Sequence, residues 1–294
     1  MAAAGALIAL LSTGLIYALG ARLFSSKAGG MLVAAFFLTT PLIYHAVRGG
    51  SASLYQLPFV IGWLLCIDRF RTSGAARDLA GAGAVLGLGL YSFWAAAAVM
   101  PVYLAITVVA FVLASDLRLD DRRIGVMVAA FAVVAAPLAA YLLMHPEYFR
   151  DRILAYGLYD ANRYNILQGS REVFSWVGLT ARSEVFYDYF NPAFLFLSGG
   201  GLARSLAHPQ VFHLPYALLL AAGLHRIVTR DVPITAWLAV AGFVAAPAAA
   251  ALTAQPPVAA RAILMAPCAA VIAAYGAVHL WEFRRLRVAA KNHG

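Results

Sequence analysis

The opening stretch, MAAAGALIALLSTGLIYALGARLFSSKAGG (residues 1–30), decides how the rest of the chain is read. About twenty apolar or small residues come first, no charge stands ahead of them, and Arg22 and Lys27 follow directly. A secretory signal needs a basic start and a clean small-residue cleavage site before the next apolar run, and this stretch offers neither. It reads as a transmembrane helix, of a length suited to a hydrocarbon core about 30 Å thick.

Composition carries the same reading to the whole chain. Of 294 residues, 63% are hydrophobic and 12% charged, and the mean hydropathy is +0.79. An ordinary soluble domain is about one quarter charged, so that class is excluded. The net charge of +9 does not point to nucleic acid, because Lys and Arg sit in short gaps between apolar runs and form no basic face. Cys66 and Cys268 both fall inside apolar runs and read as buried, unpaired thiols.

Long runs without alternation favour helices over barrel strands. The fold expected is an all-α polytopic bundle of about nine transmembrane helices, near residues 2–20, 28–45, 52–67, 79–96, 98–115, 124–144, 210–225, 233–252 and 262–281. Alternate gaps hold Arg22 and Lys27; Arg69, Arg71 and Arg77; Arg118, Arg122 and Arg123; Arg226 and Arg230; and the tail with Arg284, Arg285, Arg287 and Lys291. The other short gaps hold only Arg48 and Arg261. Short cytoplasmic loops carry the positive excess, so the N-terminus is expected outside and the C-terminus in the cytoplasm. The chain reads as one membrane domain over residues 1–294, without detectable repeats, and with one long outer loop at about 145–210 between the sixth and seventh spans.

That loop holds six of the thirteen carboxylates: Glu147, Asp151, Asp160, Glu172, Glu184 and Asp188. Phe149, Ile153, Tyr156 and Tyr159 recur about one helical turn apart among charged residues, the pattern of an amphipathic helix on the membrane surface. YFNPAFLFLSGG (residues 189–200) is too short to span and suggests a re-entrant or interfacial segment. Glu147 with Asp151, and Glu184 with Asp188, are i, i+4 pairs suited to shared acid–base work; solvated acids paired with neighbouring arginines are the plainer reading. No Asp-x-Asp or His-x-x-x-His spacing occurs in the loop, so no metal is expected. His45, His145, His208 and His213 fall near outer span ends, and the loop's Tyr and Trp read first as interface anchors. Arg48 and Arg261 stand apart, each a lone cation at an outer helix end. The planar guanidinium fork suits a phosphate, and the alternative is a side chain snorkelling to the headgroups.

Several stretches in order, GLIYALGARLFSSKAGGMLVAAFFLTTPLIYHAVRGG (14–50), AGAVLGLGLYSFWAAAAVMP (82–101), HPEYFRDRI (145–153), YFNPAFLFLSGG and APAAAALTAQPPVAARAILMAP (246–267), resemble one family. It is the C-type integral-membrane glycosyltransferases, which include protein mannosyltransferases and the aminoarabinose and lipopolysaccharide-core transferases. Tyr91, Ala95, Ala96 and Pro101 match the family's second piece, whereas Ala97 stands where an arginine is often found. The resemblance implies inverting transfer of a sugar from a polyprenyl-phosphate carrier at the outer membrane face, with no bound cofactor. Arg48 and Arg261 would then hold the carrier phosphate, and Tyr44, His45, Tyr91, Tyr189 and Asn191 would line the groove.

The family's catalytic acid is expected in a first outer loop, and this chain opens instead on what resembles the family's second span. Asp188 and Glu184 are the carboxylates that would replace that acid. The expectations from this departure are a chain read from too late a start, an inactive remnant, or a non-catalytic carrier binder, transporter or partner subunit. Ala-rich composition and the lack of any Asn-x-Ser/Thr favour a bacterial inner membrane. Membrane lipid and the lipid-linked sugar are the expected partners. No residue specifies the sugar or its acceptor.

Overall fold

The structure, a computed structural model, describes residues 2–113, 121–197, 210–253 and 257–291. Among these residues all regular structure is helical, as hydrocarbon demands when each backbone N–H and C=O must be paired within its own segment. The first part of the chain forms α1 (Ala2–Leu23), α2 (Lys27–Leu38), α3 (Pro41–Arg48), α4 (Leu57–Ser73), α5 (Ala76–Gly89), α6 (Ala96–Leu113) and α7 (Asp121–Met144). The long connecting segment after α7 folds into α8 (Pro146–Tyr156), α9 (Ile166–Val173), α10 (Trp176–Asp188) and a π-helical turn at Ala193–Leu197. The bundle then adds α11 (Pro215–Thr229), α12 (Ile234–Ala245), α13 (Ala248–Ala251) and α14 (Met265–Lys291).

Each of the nine apolar runs contains helix, but length divides them. Ala3–Leu23, Ala96–Leu113, Arg122–Met144, Ile234–Ala251 and Met265–Arg285 are long and apolar enough to cross a membrane, and α2 with α3 makes a sixth if its 59° bend lies within one span. By contrast α4 has 17 residues, α5 has 14 and α11 has 15. The run expected at 79–96 ends as helix at Gly89, where the Ser92 hydroxyl donates to the Gly89 carbonyl at 2.6 Å and closes a turn. The run expected from 210 becomes helix only at Pro215, whose fixed φ suits a first helical turn.

Prolines set the two main irregularities. Pro41 offers no N–H and drives Thr40 to an extended ψ of 117°, so the α2–α3 span breaks there. The Phe36 carbonyl stranded by the break is paired by side chains: Thr40 Oγ1 donates to it at 2.9 Å and the Tyr216 hydroxyl of α11 also reaches it, while Thr39 Oγ1 donates at 2.9 Å to Ala35 O, which keeps its helical bond from Thr39 N. Pro137 interrupts α7, and there the Tyr91 hydroxyl donates to Val134 O at 2.8 Å and accepts from Leu138 N at 3.2 Å. One phenol thus replaces a helical hydrogen bond between residues four apart.

Helices approach closely where glycines face backbone. A Cβ on Gly83 would overlap the Met127 carbonyl between α5 and α7, and Cβ atoms on Gly223 and Gly276 would overlap the Ile272 and Leu219 carbonyls between α11 and α14. Small residues of this kind drive packing in lipid, where no hydrophobic gain separates helix from acyl chain. The bundle centre is a buried aromatic relay. Trp63 of α4 stacks on Tyr103 of α6 at 5.0 Å, its Nε1 donates to Thr107 Oγ1 at 3.0 Å, and the Tyr103 hydroxyl donates to Gly242 O of α12 at 3.1 Å.

Ion pairs on two carboxylates clamp the helix ends that carry the Lys and Arg excess. Asp68 of α4 is wholly buried and pairs with Arg22 at 2.8 Å and Arg71 at 3.3 Å, and Arg226 of α11 grips Glu282 of α14 through both nitrogens at 2.6 and 3.1 Å. The sequence reading did not single out Asp68, which falls just past the end of an expected span. Cys66 and Cys268 are free thiols, and Cys268 is buried.

The glycine contacts predict that Gly223→Ala and Gly276→Ala each cost about 1–3 kcal/mol of stability through forced backbone shifts. Gly14 has open space around its Cβ direction, so Gly14→Ala serves as the control. Thermal unfolding of the detergent-solubilised protein, followed by tryptophan fluorescence, should lower the midpoint for the first two and leave it in place for the third.

Candidate functional site

The break between α2 and α3 opens a groove made of two adjoining cavities. The larger, about 690 Å³, is flanked by Phe36, Leu197, Leu214, Pro215 and Leu219, with Tyr216 at its wall. The smaller, about 430 Å³, is lined by Thr39, Thr40, Tyr44, His45, Gln210 and His213. Thr39, Gln210 and His213 belong to both, so an apolar trough and a polar mouth adjoin. The Gln210 amide lies 3.1 Å from His213 Nδ1 and orients that ring. Phe212 N donates to Leu195 O at 2.8 Å, which carries the 193–197 turn onto the bundle beside the trough.

One turn along α3 from Tyr44, Arg48 donates from Nη1 to the Tyr44 hydroxyl at 2.9 Å with its guanidinium over the Tyr44 ring. The face of α3 packs against the short turn Ala259–Ala262, which carries Arg261. Arg261 is half-buried and donates to Thr253 Oγ1 at 3.0 Å. Its positive charge also acts on Tyr189, a fully buried ring whose hydroxyl accepts from Val258 N at 3.2 Å. Burial lifts the Tyr189 phenol above the ordinary tyrosine range, against the opposing pull of Val258 N–H and Arg261. The structure therefore sets α3, which carries Tyr44, His45 and Arg48, against the turn that carries Arg261, and brings Arg261 near Tyr189.

A residue that sequence reasoning did not identify ties the stretch beside Thr253 to the segment of α8 to α10. Arg182 of α10 donates to Leu252 O at 3.0 Å, to Leu158 O at 2.8 Å and to Gly178 O at 3.0 Å, so three chain segments meet on one guanidinium. Burial lowers its pKa, and Glu172 partly offsets that. Thr39, Gln210 and Tyr216 were also missed. The Thr-Thr-Pro triplet inside an apolar run was the available signal for the first, since hydroxyls before a proline commonly patch a broken helix. Nothing local marks Tyr216 or Arg182, whose partners lie far along the chain.

Glu184, Asp188, Asn191 and Tyr91 are not among the residues that line the two groove cavities. Glu184 and Asp188 are exposed on α10 and form no ion pair among the described residues. Asn191 is exposed, and its side-chain oxygen accepts from Ala193 N at 2.9 Å to start the following turn. Tyr91 commits its hydroxyl to the α7 backbone, as described above. Where an amphipathic helix was expected at 148–159 the chain forms α8, which Gly157 at φ 62° stops short of Tyr159, and His145 at its start pairs with Glu147 at 3.2 Å. His208 and Gly199–Gly201 lie outside the described residues. Among the described residues no group of three or more His, Cys, Asp or Glu is placed to hold a metal ion.

Replacing Arg182 with Gln should leave the Leu158 and Leu252 carbonyls without their shared donor. Hydrogen exchange followed by mass spectrometry should then rise in peptides covering 158–165 and 248–253, with α1 and α4 unchanged. Equal protection in wild type and variant would show that the guanidinium does not tie these segments together.

The family model described as dolichyl-phosphate-mannose-protein mannosyltransferase matches residues 1–142. No curated protein and no solved structure matches the chain. The matched stretch runs from α1 into α7 and includes the helix break with Thr39, Thr40, Tyr44, His45 and Arg48. Helices apolar enough to cross a membrane, together with that match, identify a multi-pass membrane protein whose residues 1–142 resemble the dolichyl-phosphate-mannose-protein mannosyltransferases, glycosyltransferases of the C type.

Proposed function

We propose that the protein is a polyprenyl-phosphate-sugar-dependent glycosyltransferase acting at the outer face of a bacterial inner membrane, with inversion at the transferred sugar. The observation that carries this reading is the groove at the α2–α3 break, with an apolar trough along one flank and a polar mouth at the other. An isoprenoid chain needs the first and a phosphate with its sugar needs the second. The groove's α2–α3 wall also lies inside the region matched by the family model.

In this reading all nine apolar runs cross the bilayer, the short ones through thinning, tilt or adjoining turns. The N-terminus is outside and the C-terminus cytoplasmic, which brings Arg48 and Arg261 to the outer headgroup level. Their two guanidinium groups hold the carrier phosphate, and Tyr44, His45, Tyr189 and Asn191 surround the sugar. Tyr91 shapes the site from the α7 side. An acceptor hydroxyl oxygen attacks the anomeric carbon from the face opposite the phosphate. The bond from that carbon to the phosphate oxygen breaks, its electron pair leaves with the polyprenyl phosphate, and the acceptor proton passes to a carboxylate. Asp188, followed by Glu184, is the candidate for that base. The two arginines stabilise the charge growing on the leaving phosphate.

A second reading, carrier binding without transfer, is favoured by one observation: no carboxylate lines either groove cavity among the described residues.

Both readings are tested with the full chain in lipid nanodiscs. Arg48→Ala and Arg261→Ala should each weaken binding of a polyprenyl phosphate by about tenfold, the scale of one lost charge-assisted hydrogen bond. Unchanged binding in both variants would reject the phosphate role. The double variant Glu184→Gln with Asp188→Asn should abolish sugar transfer while leaving carrier binding in place. Transfer at the wild-type rate would remove both carboxylates from the mechanism. Carrier binding with no transfer by the wild type to any offered acceptor would favour the second reading.

A further inference from the structure

The outer segment contains a second cavity that the donor reading does not use. It measures about 880 Å³, within the size range of small-molecule sites, and lies between α8, the 157–165 connection and α9. Its wall includes Glu147, Arg150, Tyr159, Asn162, Arg163 and Tyr164. We propose that this cavity is the acceptor site and takes a short saccharide bearing a negative group. The proposal rests on the transferase reading for the word acceptor, and on the cavity itself for the saccharide.

The wall is a built surface. Tyr159 lies against Gly169 of α9 so closely that a Cβ there would overlap the ring, so the glycine sets where the ring stands. Asp160 accepts from Asn162 N at 3.0 Å and Arg150 donates to Asn162 Oδ1 at 2.9 Å, which fixes the connection against α8. Asn165 and Gln168 close a reciprocal cap at the start of α9. Behind α8, Trp94 packs against Tyr148, Phe149 and Tyr156 with ring centroids 6.1–6.4 Å apart, so the helix has an aromatic backing from the main bundle.

The chemistry on that surface fits a sugar. Tyrosine rings present flat apolar faces with a polar rim, matching the C–H face and hydroxyl edge of a pyranose. Amides and guanidinium groups supply planar donors, and Arg163 is held with its guanidinium 5.4 Å from the Tyr164 ring centre. Two arginines against one glutamate give a positive balance, and a guanidinium fork pairs best with a carboxylate or phosphate.

Position adds the functional link. Arg182 bonds the carbonyl of Leu158, next to Tyr159, and the carbonyl of Leu252, next to the Thr253 that accepts from Arg261. The cavity is thus tied through one side chain to the segment that carries a proposed carrier-phosphate ligand.

The test uses the full chain in nanodiscs of neutral phosphatidylcholine, titrated with trigalacturonate as a charged probe and maltotriose as an uncharged one, with binding read by calorimetry. Saturable binding of trigalacturonate at least tenfold tighter than that of maltotriose is expected. Arg163→Ala and Asn162→Ala, each verified as folded by circular dichroism, should each weaken it about tenfold and leave polyprenyl-phosphate binding unchanged. No saturable saccharide binding, or binding indifferent to both substitutions, overturns the proposal. Displacement of the probe by phosphatidylglycerol nanodiscs, with no preference among saccharides, also overturns it in favour of a headgroup site. If polyprenyl phosphate binds and saccharides do not, the acceptor site alone fails. If saccharides bind and polyprenyl phosphate does not, the transferase reading fails and the cavity stands as a saccharide site.

Discussion

A backbone carbonyl that loses its helical partner in apolar surroundings needs another donor, and this constraint shapes the molecule at Pro41 and Pro137. At Pro41 the stranded Phe36 carbonyl is taken up by Thr40 and Tyr216. At Pro137 the Tyr91 hydroxyl takes both the donor and the acceptor role. Because the first repair recruits a residue from α11, it draws that helix to the break and leaves space beside it. The groove is a consequence of how the break is patched, and its polar mouth consists largely of the groups that do the patching and their neighbours.

Charge is distributed in keeping with that arrangement. At the ends rich in Lys and Arg, acids are consumed: Asp68 is enclosed by Arg22 and Arg71, and Glu282 is gripped by Arg226. These pairs join α1 to α4 and α11 to α14, and so act as clamps. Near the groove the cations are held by neutral oxygens. Arg48 bonds a phenol and Arg261 bonds a threonine hydroxyl. The planar donor fork of a guanidinium suits a phosphate, which is the chemical basis for proposing the two arginines as its ligands.

The segment from α8 to the 193–197 turn is more than a connection between apolar helices. Its helices carry a cavity of their own, and its end returns to the bundle through Tyr189 and the 193–197 turn. Arg182 satisfies carbonyls from three stretches of chain that are otherwise far apart. Such a residue links the stretch around Leu158 to the stretch around Leu252, because neither can shift without losing a part-buried hydrogen bond.

Hydropathy alone was sufficient to establish an all-helical membrane protein, because long apolar runs with charges confined to the gaps have no other stable solution in lipid. Arg48 and Arg261 were also legible, since a single cation at the end of an uncharged apolar run stands out without any knowledge of its neighbours. Which runs would bend or end early was less legible: length and apolarity do not reveal that α5 stops at Gly89 or that α2 turns through 59°. The groove, the burial of Asp68 and the bridging role of Arg182 came only from tertiary structure. Each depends on side chains that meet across tens to well over a hundred residues, as Tyr216 does with Phe36, and no local pattern encodes such a meeting. The sequence by itself determined the solvent in which this chain folds and the type of element it uses; the packing of those elements decided where a break becomes a site.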